Sequence, residues 1–517
     1  MKRAVNNALL NFSTNILLLV VTAGVSLWMI PYLIGKLGIE VYGVVPLFVS
    51  ILGYLGLVTM VLSASVARYV SLNYYKGDIE QANTYLSSAF WGMIGISVVV
   101  MLLSAAFSLI LDKVFNIPAG YESQARGLFL LVIAASLIAA LNSLYGRSCF
   151  ILHKFYWLDV FGILSKLLQV AVVVLGFIFI SKSLVFVGWG AVASTLFALL
   201  LTATLDLFIL PELKINYGRF NLAACKEMVS MGVGVSINQF GSLLYLNSDL
   251  IVINIFLGSV ATGQYGAIIQ WTILIRTLAG VVTRLFGPIV MELIAKQDFE
   301  ALKYYLFTLI KFLGLILGLP ICLICGFSKP LLSLWLGNEF VGLYKLMILL
   351  VLGQIVPYSL GTIFAIFKGL NTLKIPGIVT VIAGIGNIVL SIILVKYTPL
   401  GIYGAGIGTI IAVFGKGVLF NVLYLSRIMK FNPWKIWSSL FRGCLPATIF
   451  TVVLFVFSHC VAIDHLLTLL IYGILSSLVY CIVVYRLFMN KVDRRFTLQI
   501  LKADRFLPAQ VVKFMVE

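Results

Sequence analysis

Six charged side chains fall where an apolar chain should carry none: Lys166, Asp249, Arg276, Arg284, Lys311 and Lys416 all lie inside long hydrophobic runs. A charge at the centre of a lipid-facing helix costs roughly 2.5–3.5 kcal/mol on insertion scales, so such residues turn toward protein or a watery cavity. Five bases face one acid. Pairing would neutralise one base, and the others either snorkel to the membrane surface or serve an anion. Arg276 and Arg284 are separated by about 12 Å along a helix and about 80° around it, which leaves them on one broad face. A guanidinium fork matches a phosphate bidentately, and the contact strengthens where water is excluded. Arg276, Arg284, Lys416, Lys166 and Lys311 are therefore the expected substrate-binding cations. Lys166 and Lys311 lie nearest the inner boundary, where snorkelling competes. Asp249 sits at a depth comparable to Arg276, beneath the turn their two segments share. One reading is a structural ion pair between them. The other is a carboxylate coupled to a proton or sodium gradient, with Asn238, Gln239 and Asn247 as polar neighbours.

The elements that must position these residues are membrane helices. The chain has 517 residues, 62% hydrophobic and 10% charged, against about 25% charged in soluble domains. About 20 apolar residues cross a ~30 Å hydrocarbon core as a helix, and such runs recur along the whole sequence. Barrel strands would alternate over about ten residues, which these continuous runs do not. The runs predict fourteen transmembrane helices. Six fall at 11–34, 41–65, 86–111, 127–146, 160–180 and 183–205. Eight follow at 228–257, 263–290, 304–327, 346–367, 375–395, 402–425, 443–463 and 465–485. The longer inner stretches between spans, such as 68–85, read as amphipathic segments lying along the surface.

The net charge of +18 fits basic loops on the cytoplasmic side of a membrane. Examples are Arg427, Lys430, Lys435 and Arg442, and a tail with Arg486, Lys491, Arg494, Arg495, Lys502 and Arg505. Both termini are accordingly expected in the cytoplasm, and the first span is expected to remain uncleaved. No basic stripe interleaved with aromatics appears, so no nucleic-acid partner is expected. Seven cysteines and three histidines are scattered, and the Cys322/Cys325 pair lies in an apolar helix without a second pair. Core packing explains it better than metal or redox chemistry, and no cofactor or metal is expected. The longest outer loop, near 112–126, is too short for an extracytoplasmic catalytic domain, which argues against a polymerase or ligase.

An internal repeat is visible. Leu37-Gly38 and Leu257-Gly258 are 220 residues apart, as are Asp78-Ile-Glu80 and Asp298-Phe-Glu300, and Tyr85-Leu86 and Tyr305-Leu306. An offset of six spans is even, so the copies share one orientation, as in transporters whose halves are related by an axis along the membrane normal. The expected architecture is an all-α membrane protein with two six-helix lobes and two added helices. The lobes would be 1–220 and 221–430, with 431–517 holding spans thirteen and fourteen and the basic tail.

The stretch Pro31-Tyr-Leu-Ile-Gly-Lys-Leu-Gly-Ile-Glu-Val-Tyr-Gly43, then Leu55-Gly-Leu57, Arg68 and Lys76-Gly-Asp78, resembles the opening of the Wzx-type, polysaccharide-transport branch of the MOP flippase superfamily. Asn371-Thr-Leu-Lys-Ile-Pro376, Asn387 and Gly401-Ile-Tyr-Gly-Ala-Gly406 are similar to its later part. The resemblance spans nearly the whole chain. It implies translocation of an undecaprenyl-pyrophosphate-linked oligosaccharide from the inner to the outer leaflet of a bacterial cell membrane, by alternating access and without covalent chemistry. Its implied partners are that lipid-linked oligosaccharide, membrane lipids and polysaccharide-assembly proteins. An exporter of amphipathic small molecules on the same fold would want acids for cationic cargo, where this chain has bases. A peptidoglycan-precursor flippase resembles its relatives in carrying basic residues in span one, and this chain lacks an Arg there.

Overall fold

A computed structural model of the chain describes residues 2–490 and 493–494, and every regular element among them is helical. The tail residues Lys491, Arg495, Lys502 and Arg505 lie outside the described residues. Among the described residues, thirteen helices are long and apolar enough to cross a membrane. One of them, Ile237–Ala295, is 59 residues long, far more than the roughly 20 a single crossing needs. It takes in residues 237–257 of the stretch expected at 228–257 and all of that expected at 263–290. Its helical backbone breaks at Gly258, with φ 87° and ψ −177°. Across that break the Tyr265 hydroxyl donates to Asp249 Oδ2 at 2.7 Å. A straight helix would hold residues that far apart in sequence about 24 Å from each other, so the chain doubles back at Gly258 and Tyr265 returns alongside the first arm.

The inner stretch expected to lie along the membrane surface is built otherwise. Residues 68–75 extend the helix Val44–Tyr75 and residues 79–85 open the helix Ile79–Ser108. A tight turn at Lys76–Asp78 joins them, with Gly77 at φ 80° and the Asp78 carboxylate accepting the Gln81 N–H. That cap satisfies a helix-end donor locally and removes the need for a surface segment.

The repeat is conserved in backbone geometry between its two copies. Gly38 (φ 82°, ψ 159°) and Gly258 occupy the same region, one that only glycine enters freely. Asp78 (φ −88°, ψ 75°) and Asp298 (φ −84°, ψ 77°) cap their helices alike, each accepting an N–H three residues on. The copies also meet. A Cβ at Gly43 would lie 2.2 Å from the Ser259 carbonyl oxygen, and one at Gly263 would lie 2.3 Å from that of Ile39. Ser259 and Gly263 stand 220 residues after Ile39 and Gly43, so each contact is the other with the copies exchanged. That reciprocity is the signature of a two-fold crossing. Only glycine lets the two backbones approach this closely.

The chain forms two compact units, residues 1–267 with 380–405, and residues 268–379 with those from 406 onward. In the first, the connector 210–221 is fastened along one polar face of the Ile79–Ser108 helix. Lys214 N–H donates to Asn83 Oδ1 (2.8 Å), Asn216 N–H to Ser87 Oγ (3.0 Å) and Asn221 N–H to Ser88 Oγ (2.9 Å). In the second, Phe299–Gly326 packs along Trp434–Cys460, backbone against backbone where Gly314 meets Gly443. Tyr480, from the last spanning helix, donates to the Leu315 carbonyl at 2.8 Å. The two C-terminal helices are thereby seated on Phe299–Gly326, whose core includes the buried Cys322 and Cys325.

Space around Gly258 is open where a Cβ would go, so its conformation alone makes it irreplaceable. Gly258→Ala should lower stability by about 1–3 kcal/mol, read as a fall in thermal midpoint in detergent. Gly280→Ala, also at an open site but in ordinary helix, should leave the midpoint level or raise it slightly.

Candidate functional site

Asp249 is 2% exposed, in the first arm of the Gly258 hairpin. Besides the Tyr265 hydroxyl, the Asn387 amide donates to its Oδ1 at 3.4 Å. Asn387 also reaches Ser248 Oγ (3.4 Å), and Ser391 Oγ donates to Asn387 Oδ1 (3.3 Å). Further along, Thr380 Oγ1 donates to Asn238 Oδ1 at 3.1 Å. Thr380, Asn387 and Ser391 lie on one face of Lys374–Tyr397, while Asn238, Ser248 and Asp249 lie on one face of the facing arm. Sequence numbers rise together along the contact, so these two helices run parallel. Asn247, the other polar neighbour, turns to the Ser50 carbonyl at 3.2 Å. The result is a desolvated carboxylate among neutral oxygen and amide groups. Such a set can take up a proton, or hold a small hard cation through oxygen ligands.

The arginines occupy the second arm. There Ile275, Ala279, Phe286 and Val290 form the buried face, while Arg276 is half-buried and Arg284 exposed on the opposite side. Gly280, one turn from each, has nothing within 4 Å of where a Cβ would sit. The face Arg276–Gly280–Arg284 is thus open and cationic. Lys416 is half-buried within the π-helical stretch Gly415–Asn421, and the Trp437 indole donates to the Val418 carbonyl of that widened turn at 3.0 Å. Widened turns of this kind are frequent at functional sites.

Lys166 is half-buried and donates to Gln169 Oε1 at 2.9 Å, one turn along its own helix. Lys311 departs from the expectation of a substrate cation. Its ammonium is paired with Asp493, with the two side chains only 12% and 9% exposed. Asp493 Oδ2 also accepts the Asn490 N–H (3.0 Å), while the Asp493 N–H donates to Asn490 Oδ1 (2.8 Å). The charge of Lys311 therefore anchors the turn that follows the last spanning helix. Lys166 and Asp249 belong to the first compact unit; Arg276, Arg284, Lys311 and Lys416 belong to the second.

Two further buried acids escaped the sequence reading because each sits at a span end, where an acid looks like surface. Asp159 accepts from Thr14 Oγ1 at 2.7 Å and from the Asn15 amide at 3.4 Å. Asp206 accepts the N–H groups of Gly146, Arg147 and Ser148 and the Ser148 hydroxyl, and stands 3.5 Å from Arg147 Nε. Burial pushes the Arg147 guanidinium below its ordinary pKa, and Asp206 pulls against that. Burial likewise pushes the neighbouring Cys149 thiol up to about 11, which keeps it protonated and unreactive near neutral pH. At the hairpin end of the first arm, Asn116 and Asn254 exchange bonds. Asn116 N–H donates to Asn254 Oδ1 (2.9 Å) and Asn254 Nδ2 to the Asn116 carbonyl (3.2 Å).

The sequence profile of a family described as "Polysaccharide biosynthesis protein" matches residues 8–290, more than half of the chain. Over 491 residues the chain is 29% identical to the uncharacterized membrane protein EpsK of Bacillus subtilis (strain 168), covering 95% of this chain and 97% of that one. Among solved structures it is similar to the inward-facing conformation of a multidrug resistance MATE family transporter of the MOP superfamily. The TM-score is 0.69 at 15% identity, over 82% of this chain and 99% of that one. It is also similar to the lipid II flippase MurJ in an inward closed conformation, with TM-score 0.67 at 18% identity, over 93% and 99%. The fold is the one these transporters share.

Removing one partner of a buried ion pair strands the other charge. Asp493→Ala should destabilise the protein by about 3–5 kcal/mol, whereas Lys311→Met combined with Asp493→Leu should come close to the native midpoint. Thermal unfolding of the purified variants measures both. Transport retained by the double variant would confirm that Lys311 serves the fold.

Proposed function

The chain belongs to the polysaccharide biosynthesis protein family, and from that membership we propose that this multi-pass membrane flippase carries a lipid-diphosphate-linked oligosaccharide repeat unit. The undecaprenyl-pyrophosphate-linked unit crosses from the inner to the outer leaflet of the bacterial membrane by alternating access. Both termini lie in the cytoplasm in this reading. The observation that carries it is the open face Arg276–Gly280–Arg284 on a spanning helix. Two guanidinium groups turned to hydrocarbon would each cost roughly 2.5–3.5 kcal/mol, so that face borders water, where a diphosphate can be held by bidentate contacts. Lys416, on another helix of the same unit, adds a third cation. Cationic cargo would call for the opposite sign.

Asp249 is the ion-coupling group in this reading. Its support is the buried cluster with Tyr265, Asn387 and Ser391, in which protonation or cation binding changes the charge that two packed helices must accommodate. A gradient acting on that charge biases the arrangement of these helices, and so the direction in which the bound headgroup is released. No covalent step is involved.

Replacing Arg276 and Arg284 together by Gln should cut translocation by about a hundredfold or more, since each charge-assisted contact is worth about 1.5–3 kcal/mol. Surface polysaccharide in cells and a leaflet-accessibility assay in vesicles read this out. Normal polymer from a normally inserted double variant would remove the site. Asp249→Asn should insert normally yet translocate at the same low rate with and without an imposed proton or sodium gradient. Undiminished gradient response would exclude coupling through Asp249.

A further inference from the structure

An open depression of about 470 Å³ lies where the helix starting at Leu222 passes the end of Val44–Tyr75, lined by Tyr69, Ala223, Lys226, Glu227 and Ser230. Its volume falls in the range, about 300–1,000 Å³, of sites that take small molecules or parts of larger ones. The Tyr69 ring is stacked on Tyr85 at 4.8 Å between centroids and 19° between planes. Tyr85, 8% exposed, fixes that stack from behind, its hydroxyl donating to Glu227 Oε2 at 2.6 Å. Glu227 stands beside Tyr69 in the same lining. Lys226 and Glu227 are exposed.

The chemistry of this lining discriminates among ligands. A lipid tail would strip water from Lys226 and Glu227 and return nothing to them. A bare phosphate would meet the Glu227 carboxylate as well as Lys226, with repulsion cancelling much of the attraction. A sugar ring suits every group at once. Its C–H face lies against the electron-rich face of an aromatic ring. Its hydroxyls, donor and acceptor together, satisfy carboxylate, ammonium and serine.

We propose that this depression is a saccharide-binding site that holds the glycan head of the lipid-linked substrate before translocation, an assignment of role that rests on the flippase reading above. Its position supports the role. Two spans precede Tyr75 and six precede Leu222, so both walls stand on the side of the membrane where the chain begins. That side is cytoplasmic in the proposed orientation, and it is where a newly assembled glycan headgroup would lie at the membrane surface.

The test uses the full chain in nanodiscs of phosphatidylethanolamine and phosphatidylglycerol, because maltoside detergents carry competing sugar heads. Methyl glycosides of glucose, galactose, N-acetylglucosamine and glucuronic acid are probed by saturation-transfer NMR. At least one should receive saturation; Tyr69→Ala and Glu227→Gln should each weaken its binding tenfold or more, and Tyr69→Phe should keep it. Glu227→Gln preserves shape, so the result stands even if Tyr69→Ala folds poorly. The proposal is overturned if no glycoside is bound, if Glu227→Gln binds like the native protein, or if glycerol phosphate competes as well as the glycosides do, which would mark a lipid-headgroup pocket. Glycoside binding is measured without transport, so it can fail while the flippase reading survives, and the arginine double variant can sink that reading while glycoside binding stands.

Discussion

Charge inside a hydrocarbon slab is the constraint that organises this protein. With neither water nor counterion at hand, each charged side chain needs a partner, a ring of neutral hydrogen-bond donors, or an opening to water. The structure uses all three. Lys311 is closed off by Asp493, and the pair holds the C-terminal turn against Phe299–Gly326. Asp249 is surrounded by hydroxyl and amide groups. Arg276 and Arg284 are left open on one helix face. The first solution consumes charge for stability. The other two leave charge that no buried ion pair consumes, on which the proposed ion coupling and headgroup binding rest.

Hydrocarbon also removes the usual reason for helices to associate, because lipid tails are as apolar as leucine. What remains is close backbone contact and polar bonding between helices, and the chain relies on both. Gly43 and Gly263 bring equivalent parts of the two copies into reciprocal contact, and Gly314 and Gly443 do the same for the added C-terminal helices. Polar faces then fix register: Asn83, Ser87 and Ser88 hold the connector, and Thr380, Asn387 and Ser391 hold the hairpin arm that carries Asp249. The contacts gather residues 380–405 with residues 1–267, although the repeat places that stretch in the second copy.

Much of this was legible from residue types alone. The apolar runs gave helices in nearly their true places, because an apolar stretch of this length has no other way to bond its backbone in lipid. The offset of 220 residues reappeared as matched dihedrals at Gly38 and Gly258 and matched caps at Asp78 and Asp298, since those conformations demand glycine or a capping acid. The surface segment expected over 68–85 failed for a local reason: a three-residue turn closed by Asp78 lets both helices run on to Tyr75 and from Ile79 without a separate segment between them. The stacked residues Tyr69 and Tyr85 lie on those extensions, so their adjacency could not be seen until the extensions were known.

Sequence by itself determined the class of the protein, its helical content, the internal repeat and the list of charges that hydrocarbon cannot tolerate, because each follows from local composition or from spacing along one chain. Which of those charges is consumed and which left open was decided only by the tertiary structure. Lys311 and Asp493 are 182 residues apart and Asp249 and Asn387 are 138 apart, and no periodicity along a helix brings such pairs together. Only packing across helices does, and it alone sets Lys311, which fastens the fold, apart from the arginines of the second hairpin arm.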